Sequence, residues 1–187
     1  MQARALFLIG FMAAGKSTVG RELAHRLGWR FLDIDTLIES GEGKSVPAIF
    51  RDHGEAHFRR AETSALRGLL SSLDGNAVVA LGGGAFLQDE NRQLLDRWPT
   101  VFLDALPDEL WRRCGDDPTE RPLRKDRTQF ERLYHKRLPF YRKAMVTIDT
   151  TNRDVHSICA EIEATLHLAG SEGPKLSHSS SRTGEPR

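Results

Sequence analysis

Leu6-Phe7-Leu8-Ile9-Gly10-Phe11-Met12-Ala13-Ala14-Gly15-Lys16-Ser17-Thr18 decides the fold. An apolar run leads into a loop with four small residues, and Lys-Ser-Thr follows. Gly10, Gly15, Lys16 and Ser17 satisfy G-x-x-x-x-G-K-[ST], a loop that turns its backbone N–H groups inward to cradle phosphate oxygens at the start of a helix. In that arrangement Lys16 reaches the terminal phosphates and the Ser17 hydroxyl sits on Mg²⁺. The flanks agree. Ala5 to Ile9 reads as a buried parallel strand, and Val19, Leu23 and Leu27 recur at helical spacing until Gly28 stops the helix. The competing reading is a glycine-containing turn followed by an ordinary surface lysine. The candidate nucleotide contacts are Gly10, Ala13, Ala14, Gly15, Lys16, Ser17 and Thr18.

The chain of 187 residues is long enough for one well-filled domain, and 39% apolar residues with 28% charge is an ordinary soluble composition. Its 27 Lys+Arg nearly balance 26 Asp+Glu. No global field therefore favours nucleic acid or acidic lipid, and any anion site must be a local cluster of arginines. No apolar run approaches the roughly 20 residues of a membrane span, and the N-terminus lacks a signal-peptide core. A cytoplasmic location is expected, with no membrane partner. Cys114 and Cys159 form no C-x-x-C spacing and read as bystanders, and His53 and His57 lack an evident third ligand.

Further along, Arg30-Phe31-Leu32-Asp33-Ile34-Asp35 suggests a second strand that delivers two carboxylates to the sheet edge where open α/β folds bind ligands. Period-two alternation would point Asp33 and Asp35 the same way. One could then address a metal and the other a substrate hydroxyl; alone, the pair reads as a cap for a helix from Thr36 to Ser40. A helix opens at Ser45-Val46-Pro47, Gly54 interrupts it, and a second stripe follows from Phe58 to Leu70. Arg59 and Glu62 can pair across three residues, although a lone surface pair of that kind is worth little. Ala77 to Leu81 is a central strand that runs into Gly82-Gly83-Gly84, three glycines that leave bare backbone for a ligand to approach.

Asp89 to Trp98 reads as a helix, Thr100 to Asp104 as a strand, and Pro107 to about Arg113 as another helix. Residues 115–127 are strongly polar and read as a lid. Gln129 to Ala144 is helical with Pro139 forcing a kink or break, Val146 to Asp149 is the last strand, and a terminal helix carries Val155, Ile158, Ile162 and Leu166. The whole is a P-loop α/β domain over residues 1–169, three-layered, with a disordered tail over 170–187.

Taken in order, G-F-M-A-A-G-K-S-T, F-L-D-I-D, S-V-P-A-I-F-x-x-x-G-E-x-x-F-R-x-x-E, the triple glycine, R-P-L and R-L-P-F-Y-R-K-A resemble the shikimate kinases, from about Arg4 to Leu166. The resemblance implies a nucleoside-monophosphate-kinase-like fold: a five-stranded parallel sheet, a substrate-binding helical region at about 34–62 and a lid at about 115–127. It also implies transfer of the γ-phosphoryl of ATP to the 3-hydroxyl of shikimate, with Mg²⁺ as cofactor and ATP and shikimate as partners; a monomer is expected.

Carried across by position, Lys16 and Ser17 take phosphates and Mg²⁺, and Asp33 matches the acid that holds the metal through water. Asp35 matches the residue that binds the shikimate hydroxyls and is the candidate proton acceptor. Arg59 and Arg137, with Gly82, Gly83 and Gly84, resemble the carboxylate and hydroxyl clamp. Glu62 resembles the acid that orients Arg59, and Phe50 and Phe58 the apolar wall. Arg121 is similar to the lid arginine that meets the transferred phosphoryl, and Arg113 and Arg153 fall near adenine-contacting positions.

Three residues depart from the family pattern: Ala13 for a common loop glycine, Leu81 for a small hydroxyl residue, and Arg124 for an apolar one. Ala13 is expected to be harmless if its φ is negative, and Asp35, as an ordinary aspartate, needs no raised pKa to accept a hydrogen bond at neutral pH. The rival readings are another P-loop small-molecule kinase such as a gluconate kinase, and a non-catalytic nucleotide-binding module. A GTPase-type switch would call for N-K-x-D, which Thr151-Asn152-Arg153-Asp154 does not supply.

Overall fold

The computed structural model describes residues 4–116 and 126–168. Arg121, Arg124, most of the expected lid and the expected tail lie outside the described residues.

The apolar runs become strands as their composition demands. Residues Ala5–Ile9 (β1), Ala77–Ala80 (β3) and most of Thr100–Asp104 (β4) are buried on both faces, as parallel strands covered by helices on each side must be. Arg30–Asp33 (β2) and Val146–Asp149 (β5) complete a five-stranded sheet in the order β2-β3-β1-β4-β5. Every pairing is parallel; Leu8 lies opposite Ala80 on one side and Val101 on the other. From β1 the chain crosses to the edge strand β2, returns to β3 beside β1, and then crosses to β4 and β5 on the other side, so the segments that leave the C-terminal ends of the strands flanking β1 part to open a crevice there.

The helices are Lys16–Leu27 (α1), Ile34–Glu42 (α2), Val46–Ser72 (α3), Asp89–Leu94 (α4), Pro107–Asp116 (α5), Arg127–Tyr141 (α6) and Val155–Thr165 (α7), with a 3₁₀ turn at Ala85–Leu87. Helix α1 sits very close to the sheet at Gly20. A Cβ there would overlap the Phe31 ring and lie 3.2 Å from Leu8 Cδ1. A bidentate Arg26–Glu163 pair, 2.7 and 2.9 Å, ties α1 to α7.

Several sequence expectations are corrected by the chain's own hydrogen bonds. The second strand stops at Asp33, because the Asp33 side chain accepts from the Asp35 N–H at 3.1 Å and caps α2. Asp33 and Asp35 are therefore not alternate residues of one strand: the first is a cap and the second stands in the first helical turn. That helix begins two residues before the expected Thr36 and runs on to Glu42. Helix α4 ends at Leu94 rather than Trp98, and tight turns such as Trp98 N to Leu95 O carry the chain to Pro99. Pro139 neither ends nor splits α6; it falls in the last turn, near where the helix stops of itself. The break expected at Gly54 is present, with φ 77° and ψ 173° inside α3.

Ala13 is the sharpest departure. Its φ is +60°, in the left-handed region, where a Cβ crowds the following carbonyl at a cost of about 1–2 kcal/mol. The residue is thus strained rather than harmless. Replacing it with glycine removes that strain while adding about 0.4–1 kcal/mol of unfolded-state entropy. Ala13→Gly should therefore raise unfolding free energy by about 0.5 kcal/mol, read as a higher urea midpoint at unchanged slope. A lower midpoint would show that the loop relaxes the strain by other means.

Candidate active site

The phosphate loop is anchored from below before it reaches the cleft. Gly10 has φ +151°, and a Cβ on it would lie 2.7 Å from the Leu103 carbonyl oxygen of β4 and 3.2 Å from Ala14 Cβ. Only a glycine lets the chain leave β1 so close to its neighbour. Phe11, fully buried, then packs edge-on against Phe130 and Tyr134 of α6, with ring centroids at 5.0 and 5.6 Å. The loop closes through Ala14 N to Phe11 O, and Val19 N to Gly15 O starts α1.

Lys16 Nζ lies over the loop, donating to the carbonyls of Gly10 and Phe11 at 3.1 and 2.9 Å. Ser17 Oγ donates to Asp33 Oδ2 at 3.1 Å. A hydroxyl and a carboxylate side by side beneath a phosphate loop form a hard-oxygen set of the kind Mg²⁺ takes, so the residues present fit that ion. Ala13, Ala14, Gly15 and Thr18 line the same cleft as Lys16 and Ser17.

That cleft, about 1190 Å³, runs from Arg113, Thr150 and Arg153 past the loop to Asp33, Asp35, Gly82 and Gly83. At one end, Arg113 Nε donates to Glu109 Oε1 at 2.9 Å and its Nη2 to the Thr150 carbonyl at 2.7 Å. Hydrogen bonds from Arg112 and Arg113 pull the Glu109 carboxyl down to about 2. Arg153 is committed too, to the Asp149 carbonyl at 2.9 Å, the Ser157 carbonyl and the Glu161 carboxylate. Both arginines expected at the base therefore border the cleft with fixed guanidinium planes.

At the other end the three glycines serve a purpose that their flexibility alone does not suggest: the site's own side chains occupy the space their side chains would need. A Cβ on Gly82 would lie 2.8 Å from Glu62 Oε1 and 2.9 Å from Asp35 Oδ1; one on Gly83 would lie 3.4 Å from Arg137 Nη1; one on Gly84 would overlap the Arg59 guanidinium. Gly83 O accepts from Arg137 Nη1 at 3.3 Å and from the Tyr141 hydroxyl. The Arg137 guanidinium also stands 5.7 Å above the Phe11 ring, which links the triple-glycine end of the cleft to the phosphate loop.

The Arg59–Glu62 pair is not the surface pair that its spacing suggested. Arg59 Nη1 donates to Glu62 Oε2 at 2.8 Å, and Glu62 is 0% exposed. Glu55 holds the same arginine from the solvent side through Nη2 at 3.1 Å. Burial would lower the Arg59 pKa, but the two glutamates outweigh it and hold it above its ordinary value. Burial pushes Glu62 the other way, up to about 6, against the pull of Arg59.

Burial also raises the Asp35 carboxyl, with Asp33 adding to it and Lys16 opposing. Its pKa is therefore not that of an ordinary aspartate. Asp35 Oδ1, Glu62 Oε1 and Arg137 Nε are buried with no hydrogen-bond partner among the described residues. Unsatisfied buried groups of this kind are costly unless a ligand completes them. Phe50 and Phe58 stack across the break in α3 with centroids 4.5 Å apart, and Arg59 lies 5.2 Å over the Phe58 ring.

Sequence reading did not single out Glu109, Tyr141 or Gln88. Glu109 had a signal, standing three and four residues before Arg112 and Arg113, and Tyr141 stands one turn after Arg137. Gln88 had none, since only the turn after the triple glycine carries its Nε2 to Glu62 Oε2, 3.0 Å away.

Residues 12–167 match the family model described as shikimate kinase. The shikimate kinase of Geobacter metallireducens is 46% identical over 167 residues, spanning 87% of this chain and 92% of that protein. The crystal structure of shikimate kinase from Bacteroides thetaiotaomicron superposes with a TM-score of 0.80 at 31% identity, covering 88% of this chain and 99% of that one. Shikimate kinase from Acinetobacter baumannii in complex with shikimate gives 0.77 at 34% identity, covering 89% and 94%. Sequence blocks, sheet order and the cleft agree with these matches, and the chain belongs to the shikimate kinase family.

Proposed function

We propose that this protein transfers the γ-phosphoryl group of ATP to the 3-hydroxyl of shikimate, releasing ADP and shikimate 3-phosphate. The observation that carries the reading is one cleft with a phosphate loop at its centre and, at its far end, the unsatisfied Asp35 oxygen against Gly82, with Arg59 fixed by Glu62 against the adjoining Gly84. Family membership and the shikimate complex of the Acinetobacter baumannii relative support the same acceptor.

The loop N–H groups and Lys16 bind the phosphates, with Ala13, Ala14, Gly15 and Thr18 around them. Ser17 and Asp33 would hold Mg²⁺, which supplies charge neutralisation to the phosphates when bound. Arg113 and Arg153 border the base. Arg59 and Arg137 take the acceptor carboxylate with planar, doubly donating groups. Gly82, Gly83 and Gly84 keep that wall thin, and Phe50 and Phe58 cover the apolar side of the ring.

Asp35 Oδ1 accepts from the 3-hydroxyl and orients it. As the hydroxyl oxygen bonds to the γ-phosphorus, the bond from that phosphorus to the β,γ-bridging oxygen breaks; ADP leaves with the electron pair, and the hydroxyl proton passes to Asp35. Its raised pKa makes Asp35 a better proton acceptor than a solvated aspartate. Arg121 is assigned to the transferred phosphoryl by its place in R-P-L, outside the described residues.

Three outcomes follow. A coupled ADP assay across shikimate, gluconate and nucleoside monophosphates should give turnover that needs both shikimate and Mg²⁺; turnover with gluconate but not shikimate would overturn the assignment. Arg59→Lys loses the planar fork, so KM for shikimate should rise about 30-fold, equivalent to ~2 kcal/mol, while KM for ATP stays within about twofold; an equal loss for both would make Arg59 structural. Glu62 anchors Arg59 only while ionised, and its folded pKa of about 6 lies above the ordinary 4.5. The anchor is therefore half formed near pH 6, nearly complete about one pH unit higher, and lost as pH falls through that value. KM for shikimate should climb below pH 6 with KM for ATP flat, and a flat shikimate profile down to pH 5 would count against this role.

A further inference from the structure

Gln88 reaches the acceptor end from outside both carboxylate-bearing helices. It follows the 3₁₀ turn behind the triple glycine, and its backbone is held on both sides: its N–H donates to Ala85 O at 3.3 Å, and its carbonyl accepts from Arg92 N at 3.2 Å. The side chain thus springs from a fixed root. Its Nε2 donates at 3.0 Å to Glu62 Oε2, the same oxygen that accepts from Arg59 Nη1 at 2.8 Å. Glu62 is fully buried, and its second oxygen has no partner among the described residues.

A buried carboxylate keeps its charge and its rotamer only as far as hydrogen bonds hold them. Glu62 has two such bonds on one oxygen. One comes from Arg59, the group it must aim, so it cannot serve as an independent reference point for that group. The other comes from Gln88, a neutral donor rooted in a different segment. Glutamine suits the task because it adds a donor without adding a charge that would compete for Arg59 or for an anionic acceptor.

We propose that Gln88 is a positioning residue of the acceptor clamp: its amide fixes Glu62, and through Glu62 it fixes the direction in which Arg59 presents its guanidinium to the acceptor carboxylate. The inference rests on the shikimate reading for its kinetic consequence, but not for its structural one. The charged and titratable groups that face the Glu62 carboxyl are Arg59 on α3, Asp35 on α2 and Tyr141 on α6. Gln88 adds a bond to the ionised form, so its loss should move the Glu62 titration upward.

Gln88→Met in the full chain keeps the length of the side chain and removes the donor. Steady-state kinetics should show KM for shikimate raised about tenfold, the size of one hydrogen bond to a charged group, with KM for ATP and kcat within about twofold. ¹³C NMR of the glutamate carboxyls should place the Glu62 midpoint higher than in the unsubstituted protein. An unchanged shikimate KM, an equal rise for both substrates, or an unmoved Glu62 midpoint would overturn the proposal. If Gln88→Met melts early, Gln88→Glu preserves shape and places a second carboxylate against Glu62; at pH 8 it must raise the shikimate KM further, or the proposal fails. Loss of shikimate dependence in the unsubstituted enzyme would instead sink the substrate reading, and the Glu62 titration would still judge Gln88.

Discussion

The approach of Gly10 to the Leu103 carbonyl is the constraint on which the rest depends. Two buried parallel strands lie side by side, and the chain leaving the first has room to turn only because its turning residue has no side chain. That turn sets the direction of the loop, places the start of α1 under the cleft and drops Phe11 into the aromatic cluster with α6. Because Arg137 lies on that same helix, one backbone contact places both the phosphate loop and an arginine of the proposed acceptor clamp.

Magnitudes separate the ion pairs of the site from those of the surface. Arg30–Asp74 and Arg51–Asp52 are largely exposed, and pairs of that kind contribute about 0–1 kcal/mol. Arg59–Glu62 is different in kind. Its carboxylate is out of water, and removing one partner from such a pair typically costs about 3–5 kcal/mol because the other charge is stranded. The cost of the buried glutamate is limited by Arg59 itself, by a second donor, Gln88, and by an exposed acid, Glu55, on the far side of the arginine.

Much of this was legible in the residues. Strand and helix order followed from apolar periodicity and from glycine and proline punctuation, and the phosphate loop from a pattern whose chemistry requires its residue types. The acceptor side was less legible for a physical reason. Asp33 and Asp35 read as alternating strand positions because β and N-cap geometries are both extended at the first aspartate, and only the Asp33-to-Asp35 hydrogen bond decides between them. Arg59–Glu62 read as a surface pair because spacing along a helix does not reveal which face is covered. Gln88 carried no local signal at all, since its role exists only through a contact 26 residues away in sequence.

Asp33 divides its two oxygens, Oδ1 to the start of α2 and Oδ2 to the Ser17 hydroxyl. One carboxylate therefore both caps α2 and holds the hydroxyl that follows the phosphate loop, the pair proposed above to take the metal. Natural variation at this position cannot trade one against the other: a residue that kept the helix cap but lost the second oxygen, such as serine, would leave a well-folded chain with an impoverished loop. On the proposed metal role, selection for stability and selection for turnover meet on this single side chain, and lineages that drift toward a non-catalytic scaffold should shed the aspartate early while keeping a capping residue in its place.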